Sequence, residues 1–178
     1  MDGFWVFGYG SLIWRPGFAY AEREIALLTG YHRSFCMRSI HYRGTAEAPG
    51  LVLALDPEAG ATCQGVAYRV AEPEAEAALA YLRARELVSD AYRETRAAVT
   101  LASGAEVEAV CYVMDTAHDQ YAGRLPLEDQ AEIICRAHGS AGPNHEYLSN
   151  TVASLEGLGI SDPDLHRLRD LVEARRGG

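Results

Sequence analysis

The sequence predicts an α+β fold in a single domain over residues 1–178, a mixed or antiparallel sheet curled toward a small barrel with flanking helices on its outside or over one end. Short strand-like runs separated by turn signals fill the first two-thirds of the chain, and amphipathic helical segments fill the last third. Strands this numerous must hide their edges, which favours closure. With 178 residues, 48% apolar and 23% charged, the chain can bury a sizeable core without staples.

The strand candidates are Trp5–Phe7, Ile25–Leu28, Tyr31–Met37, Leu51–Leu55, Gln64–Val70, Thr95–Leu101 and Val107–Met114. Between them, Arg43-Gly44-Thr45, Asp56-Pro57-Glu58-Ala59-Gly60 and Ala102-Ser103-Gly104 read as turns. One helix interrupts the strands, starting near Pro73. Three more follow, over Pro126–His138, Asn144–Gly157 and Pro163–Arg175. Proline at or near the first helical position marks three of the four starts, and Asn144 is expected to cap the other. Leu127, Ala131, Ile134, Cys135 and His138 form one apolar stripe, and Leu165, Leu168, Leu171 and Val172 another. Stripes of this kind are core faces. There is no internal repeat, linker or low-complexity segment.

Charge and composition narrow the function. A formal net charge of −9 offers no electrostatic footprint for nucleic acid or for an anionic membrane surface, so a small-molecule partner is expected. All 16 cationic side chains are arginine. Without lysine there is no Schiff base, no pyridoxal phosphate anchor and no P-loop lysine. His32, His41, His118, His138, His145 and His166 show no metal-ligand spacing, and neither a metal nor a cofactor is expected. Cys36, Cys63, Cys111 and Cys135 form no CxxC pair and read as reduced core residues. Met1-Asp2-Gly3 lacks the basic start of a secretory signal, and no apolar run approaches the roughly 18 residues of a membrane span. A cytoplasmic location is the expectation. Oligomeric state is not legible.

Two segments carry chemistry. In the first, the strand Phe4-Trp5-Val6-Phe7 runs into Gly8-Tyr9-Gly10-Ser11-Leu12-Ile13-Trp14. Glycines on both sides of Tyr9 allow main-chain N–H groups to approach a ligand closely, although an ordinary glycine turn after a packing strand has the same pattern. Ser11 lacks a GxSxG elbow and suits hydrogen-bond donation better than attack. The second segment is Glu74 to Glu86. Ala75, Ala78, Leu79 and Leu82 mark an apolar face, and Glu86 falls on the same face if helical geometry persists. Desolvation and the negative end of the helix dipole would both raise its pKa, as suits a carboxyl that accepts and returns a proton near neutral pH. The alternative is a solvated helix end where Arg83, Arg85 or Arg93 pairs with Glu86. Tyr92 and Tyr147 each fit either a ligand-facing hydroxyl or a half-buried packing role. Arg43, between His41-Tyr42 and Gly44, fits either a bidentate pair with a substrate carboxylate or a solvated loop.

Together these stretches resemble ChaC-type γ-glutamylcyclotransferases, also labelled cation transport regulator-like proteins. The resemblance covers nearly the whole chain. It is carried by Val6 to Trp14 and by Tyr81-Leu82-Arg83-Ala84-Arg85-Glu86. Supporting stretches are His41 to Thr45 with Pro49-Gly50, Gly65 to Arg69, Pro126 to Asp129, and Gly142-Pro143 with Glu146-Tyr147-Leu148. The resemblance implies a γ-glutamylcyclotransferase-like fold and cleavage of glutathione to 5-oxoproline and cysteinylglycine. It implies that Val6, Phe7, Gly8, Tyr9, Gly10, Ser11 and Leu12 cradle the γ-glutamyl group, with Glu86 as the acid and base. Several family members carry a lysine and a glycine-tyrosine pair after that glutamate, where this chain has Leu87-Val88-Ser89-Asp90-Ala91-Tyr92. Tyr92 aligns with the tyrosine. Two rival expectations are a non-enzymatic module that senses a small metabolite or regulates a transporter, and a cyclotransferase for other γ-glutamyl amines or amino acids.

Overall fold

The computed structural model describes residues Met1–Gly178. Its strands are β1 (Phe4–Gly8), β2 (Glu22–Ser39), β3 (Gly50–Val70), β4 (Tyr92–Leu101), β5 (Glu106–Met114), β6 (His138–Gly139) and β7 (Gly142–Pro143). Its helices are α1 (Ser11–Trp14), α2 (Glu72–Glu86), α3 (Leu127–Arg136), α4 (Asn144–Gly157) and α5 (Pro163–Arg176). The first five strands close a barrel in the order β1-β3-β2-β4-β5. β1 runs antiparallel to β3 and parallel to β5, and β4 runs antiparallel to both β2 and β5. The sheet is therefore mixed and the fold α+β. Closure leaves no free edge.

Two expected breaks are absent. Ile25–Leu28 and Tyr31–Met37 are parts of one strand, as are Leu51–Leu55 and Gln64–Val70. Gly30, at φ +93°, and Gly60, at φ +82°, take up left-handed backbone inside these strands, where an added Cβ would meet nothing within 4 Å. Both glycines are used for conformation, and the strands bend instead of ending. Pro57 is exposed, a placement where the missing N–H costs a strand little. α3 stops at Arg136, and His138 is exposed in β6 instead of completing the α3 stripe. Asn144 does not cap α4. It is fully buried, and its side chain accepts from Leu51 N–H and donates to Leu51 C=O, both at 2.8 Å, in the manner of a neighbouring strand.

The chain forms two compact units, Met1–Arg33 with Leu55–His118, and Ser34–Ala54 with Asp119–Gly178. The first buries Val6, Phe7, Leu28, Tyr68, Leu82 and Tyr112. Within it, α2 starts with proline in its first turn and buries Ala75, Ala78, Leu79 and Leu82, the face predicted from spacing. In the second, α3, α4 and α5 pack on one another around Ile134, Leu148, Val152, Leu155 and Leu168. Asp162 caps α5 by accepting from Leu165 N–H at 3.2 Å.

Candidate active site

β1 delivers the chain to Gly8, and after Tyr9 and Gly10 it winds into the single turn of α1. Neither Gly8 nor Gly10 has positive φ, so left-handed backbone is not why glycine stands there. At Gly8 the reason is proximity: an added Cβ would lie 3.0 Å from the Leu12 Cβ. Gly65 on β3 is tighter still, with a Cβ there 2.3 Å from the Gly8 carbonyl oxygen. The two glycines let α1 fold back on β1 and let β3 approach β1 closely at Gly8.

Polar side chains then fix the turn. Tyr68 Oη donates to the Leu12 carbonyl at 2.8 Å and reaches the Ile13 carbonyl at 3.1 Å. Arg33, 4% exposed, donates from Nε to the Tyr9 carbonyl at 2.8 Å and from Nη2 to the Gln64 carbonyl. Arg85 donates to Ser11 Oγ at 2.8 Å. Val6, Phe7, Gly8, Tyr9, Gly10 and Leu12 are buried and Ser11 is half-buried. Arg33 lies outside the sequence expectations, yet it shares the alternating phase of Phe35 and Met37, and an arginine in an apolar phase is a usable signal.

Glu86 is the last residue of α2, with a side chain 13% exposed. Burial pushes its carboxyl above the ordinary 4.5 of a glutamate, and the Arg85 guanidinium, with Nε 3.5 Å from Oε1, offsets part of that shift. Of the three arginines expected as its partners, Arg83 is committed elsewhere: its fork grips Glu94 at 2.9 and 2.8 Å. Tyr112 Oη donates to the same Glu94 at 3.1 Å. Glu94 is held below its usual range by Arg83 first, while the Tyr112 phenol is pushed up by burial and by the charges of Glu94 and Glu86. The structure thus places a carboxylate held low by its partners and a carboxyl of raised proton affinity in the same unit. Tyr92, half-buried, opens β4 opposite Met114 and lies on the Glu94 face of that strand.

The second unit brings Arg43 and Tyr147 together. The Arg43 guanidinium stands 5.8 Å from the centroid of the Tyr147 ring, donates to the Pro143 carbonyl at 3.0 Å and lies 4.0 Å from Glu146 Oε1. With its side chain 14% exposed, Arg43 is not a solvated loop arginine. Tyr147 packs edge-on against Phe35, and its hydroxyl accepts from Leu53 N–H at 3.3 Å. No group of histidine, cysteine and carboxylate side chains could hold a metal ion, and no helix is long and apolar enough to cross a membrane.

The mixed barrel with its flanking helices has a close structural counterpart. A γ-glutamylcyclotransferase specific to glutathione from yeast superposes with a TM-score of 0.86 at 25% identity, covering 98% of this chain and 100% of that one. The fold is therefore that of the γ-glutamylcyclotransferases. The ChaC-like protein family model matches residues 4–175. A glutathione-specific gamma-glutamylcyclotransferase of Escherichia coli is 38% identical over 164 residues, 92% of this chain and 70% of that protein. Glutathione-specific gamma-glutamylcyclotransferase 1 of Homo sapiens is 34% identical over 172 residues, 96% of this chain and 77% of that protein. The chain belongs to the ChaC family.

Proposed function

We propose that this chain is a γ-glutamylcyclotransferase that cleaves glutathione to 5-oxoproline and cysteinylglycine, with Glu86 as general base and acid. The observation that carries the role of Glu86 is a carboxyl withdrawn from water at a helix end, with its proton affinity raised and only one cationic neighbour at 3.5 Å. The substrate contains its own nucleophile. Its α-ammonium must lose a proton, the resulting amine attacks the γ-carbonyl, and a five-membered lactam closes as the C–N bond to cysteine breaks. Ionised Glu86 accepts a proton from the attacking nitrogen and returns it to the departing amine. Val6 to Leu12 form the cradle, and main-chain N–H groups between Gly8 and Leu12 hold the substrate or its developing oxyanion. Holding the chain folded for ring closure is the larger contribution the protein makes.

Arg43, Tyr92 and Tyr147 are proposed as further substrate contacts, each to be read from KM on truncation. One domain over residues 1–178 is our reading, supported by a family match that spans both compact units. Four free cysteines support a cytoplasmic location. The test incubates purified protein with glutathione and quantifies 5-oxoproline and cysteinylglycine, beside Glu86→Gln. We expect turnover by the wild type and loss of at least about a hundredfold in kcat for Glu86→Gln, the usual contribution of a general base. A folded wild-type protein that forms no 5-oxoproline from glutathione or any other γ-glutamyl compound would sink the enzyme reading.

A further inference from the structure

One side chain touches both parts of the proposed machinery. Arg85 Nη2 donates to Ser11 Oγ at 2.8 Å, and Nη1 donates to the Arg15 carbonyl at 2.5 Å. Nη1 also lies 3.3 Å from the Pro16 carbonyl and 3.2 Å from Tyr81 Oη, while Nε stands 3.5 Å from Glu86 Oε1. The fork therefore contacts the first residue of α1, the chain that leaves α1, and the carboxyl of Glu86. Tyr81 Oη is itself lodged against Gly17, where φ is +76° and an added Cβ would lie 2.0 Å from it.

A four-residue helix cannot hold its own orientation, because helix formation is costly until several turns exist. α1 is oriented by what grips it: Tyr68 at the Leu12 and Ile13 carbonyls and Arg85 at its two ends. The guanidinium also dictates a direction at Ser11. Guanidinium nitrogens only donate, so Ser11 Oγ accepts from Arg85 and its own proton is free to be donated elsewhere. Arg83, two residues earlier, cannot substitute, since Glu94 occupies its fork.

We propose that Arg85 is a positioning residue that couples the substrate cradle to the general base, setting the aim of the Gly8–Leu12 N–H groups and the Ser11 hydroxyl in register with the Glu86 carboxyl. This rests on the assignment of Glu86 as the base. Two consequences separate. The planar fork orients α1, and a lysine cannot reproduce it. The positive charge acts on Glu86, and a lysine keeps it. The Glu86 charge also acts on Tyr112 of β5, whose phenol is pushed up, and Tyr112 is tied to Glu94 of β4 and through it to Arg83.

The test measures kcat, KM and their pH dependence on glutathione for the full chain and for Arg85→Lys, Arg85→Met and Ser11→Ala, with circular dichroism and thermal melts as the folding control. For Arg85→Lys we expect KM to rise by about tenfold, the scale of one charge-assisted hydrogen bond, with the acidic limb of kcat where the wild type has it. For Arg85→Met the same rise should come with an acidic limb moved to higher pH. For Ser11→Ala, KM alone should rise. A residue of merely structural importance would lower the active fraction, and hence kcat, with KM and the pH limb unmoved. That pattern, or a folded Arg85→Met with an unshifted limb, overturns the proposal. Should Arg85→Met fail to fold, wild-type KM in both Arg85→Lys and Ser11→Ala does so. Failure of the underlying assignment looks different: Glu86→Gln would then keep the wild-type rate.

Discussion

Glu86 and Glu94 show how two carboxyls of one unit acquire opposite proton affinities. Glu86 loses hydration and gains one loose cation, whereas Glu94 receives a bidentate arginine and a phenol. Because the folded state raises the Glu86 pKa, that group favours folding in its protonated form; its contribution is fullest below the ordinary 4.5 and is lost as pH rises through the raised folded value. Glu86→Gln should therefore melt at higher temperature than the wild type at pH 7 to 8, with the gap closing in acid, while activity is lost. Glu94 is the reverse case: its lowered folded value stabilises the protein above the ordinary carboxylate range, and the contribution is lost as pH falls through that lowered value. Glu94→Gln should melt lower near neutral pH and converge with the wild type in acid. Thermal melts of the three proteins across pH decide both, and a parallel response of the two variants would refute the assignment. The placement of Glu86 was legible because it falls in phase with Leu79 and Leu82. The Arg83–Glu94 pair was not, since its 11-residue separation joins a helix to a strand that only the tertiary fold brings together.

Among the elements, α1 and the long strands escaped the sequence for different reasons. Four residues are too few for a helical period to register, and α1 owes its existence to contacts from elsewhere in the unit. The pattern divides the long strands because glycine and proline normally punctuate, whereas Gly30, Pro57 and Gly60 are tolerated in partly exposed stretches. Asn144 stands where a local cap is expected, but its partner Leu51 lies 93 residues away. Tyr68 tests what holds α1. Tyr68→Phe keeps the ring and its packing against Phe18 and Tyr20 but removes the donor to the Leu12 and Ile13 carbonyls. It should lower stability by about 1–2 kcal/mol in urea denaturation, the scale of a lost buried hydrogen bond. KM should rise alongside, since the same residue run belongs to the proposed cradle. Unchanged KM with lowered stability would mean that α1 keeps its orientation without Tyr68.

At the scale of the molecule, neither compact unit is a contiguous stretch of chain. β2 and β3 each contribute one part to the first unit and the remainder to the second, and the chain returns to the second unit at Asp119. A chain ended at His118 would therefore keep every residue of the first unit together with Ser34–Ala54, but it would strip that segment of its own partners. Leu51 would lose both hydrogen bonds to Asn144, Leu53 N–H would lose Tyr147 Oη, and Met37 would lose its bridge to Tyr121. Phe35, Leu51 and Leu53, each at most 2% exposed in the full chain, would stand uncovered on adjoining strand ends. Side chains of this size contribute about 1.5–3 kcal/mol each when buried, so their exposure withdraws several kcal/mol and creates an apolar strand surface prone to self-association. Residues 1–118 should accordingly be recovered as aggregate, or as a soluble species without a cooperative melt, although Glu86 and Val6 to Leu12 are all present. Sedimentation velocity and a thermal melt of the truncated chain measure this. A monodisperse, cooperatively melting fragment would show that the first unit is self-sufficient and that Ser34–Ala54 needs nothing from residues 119–178.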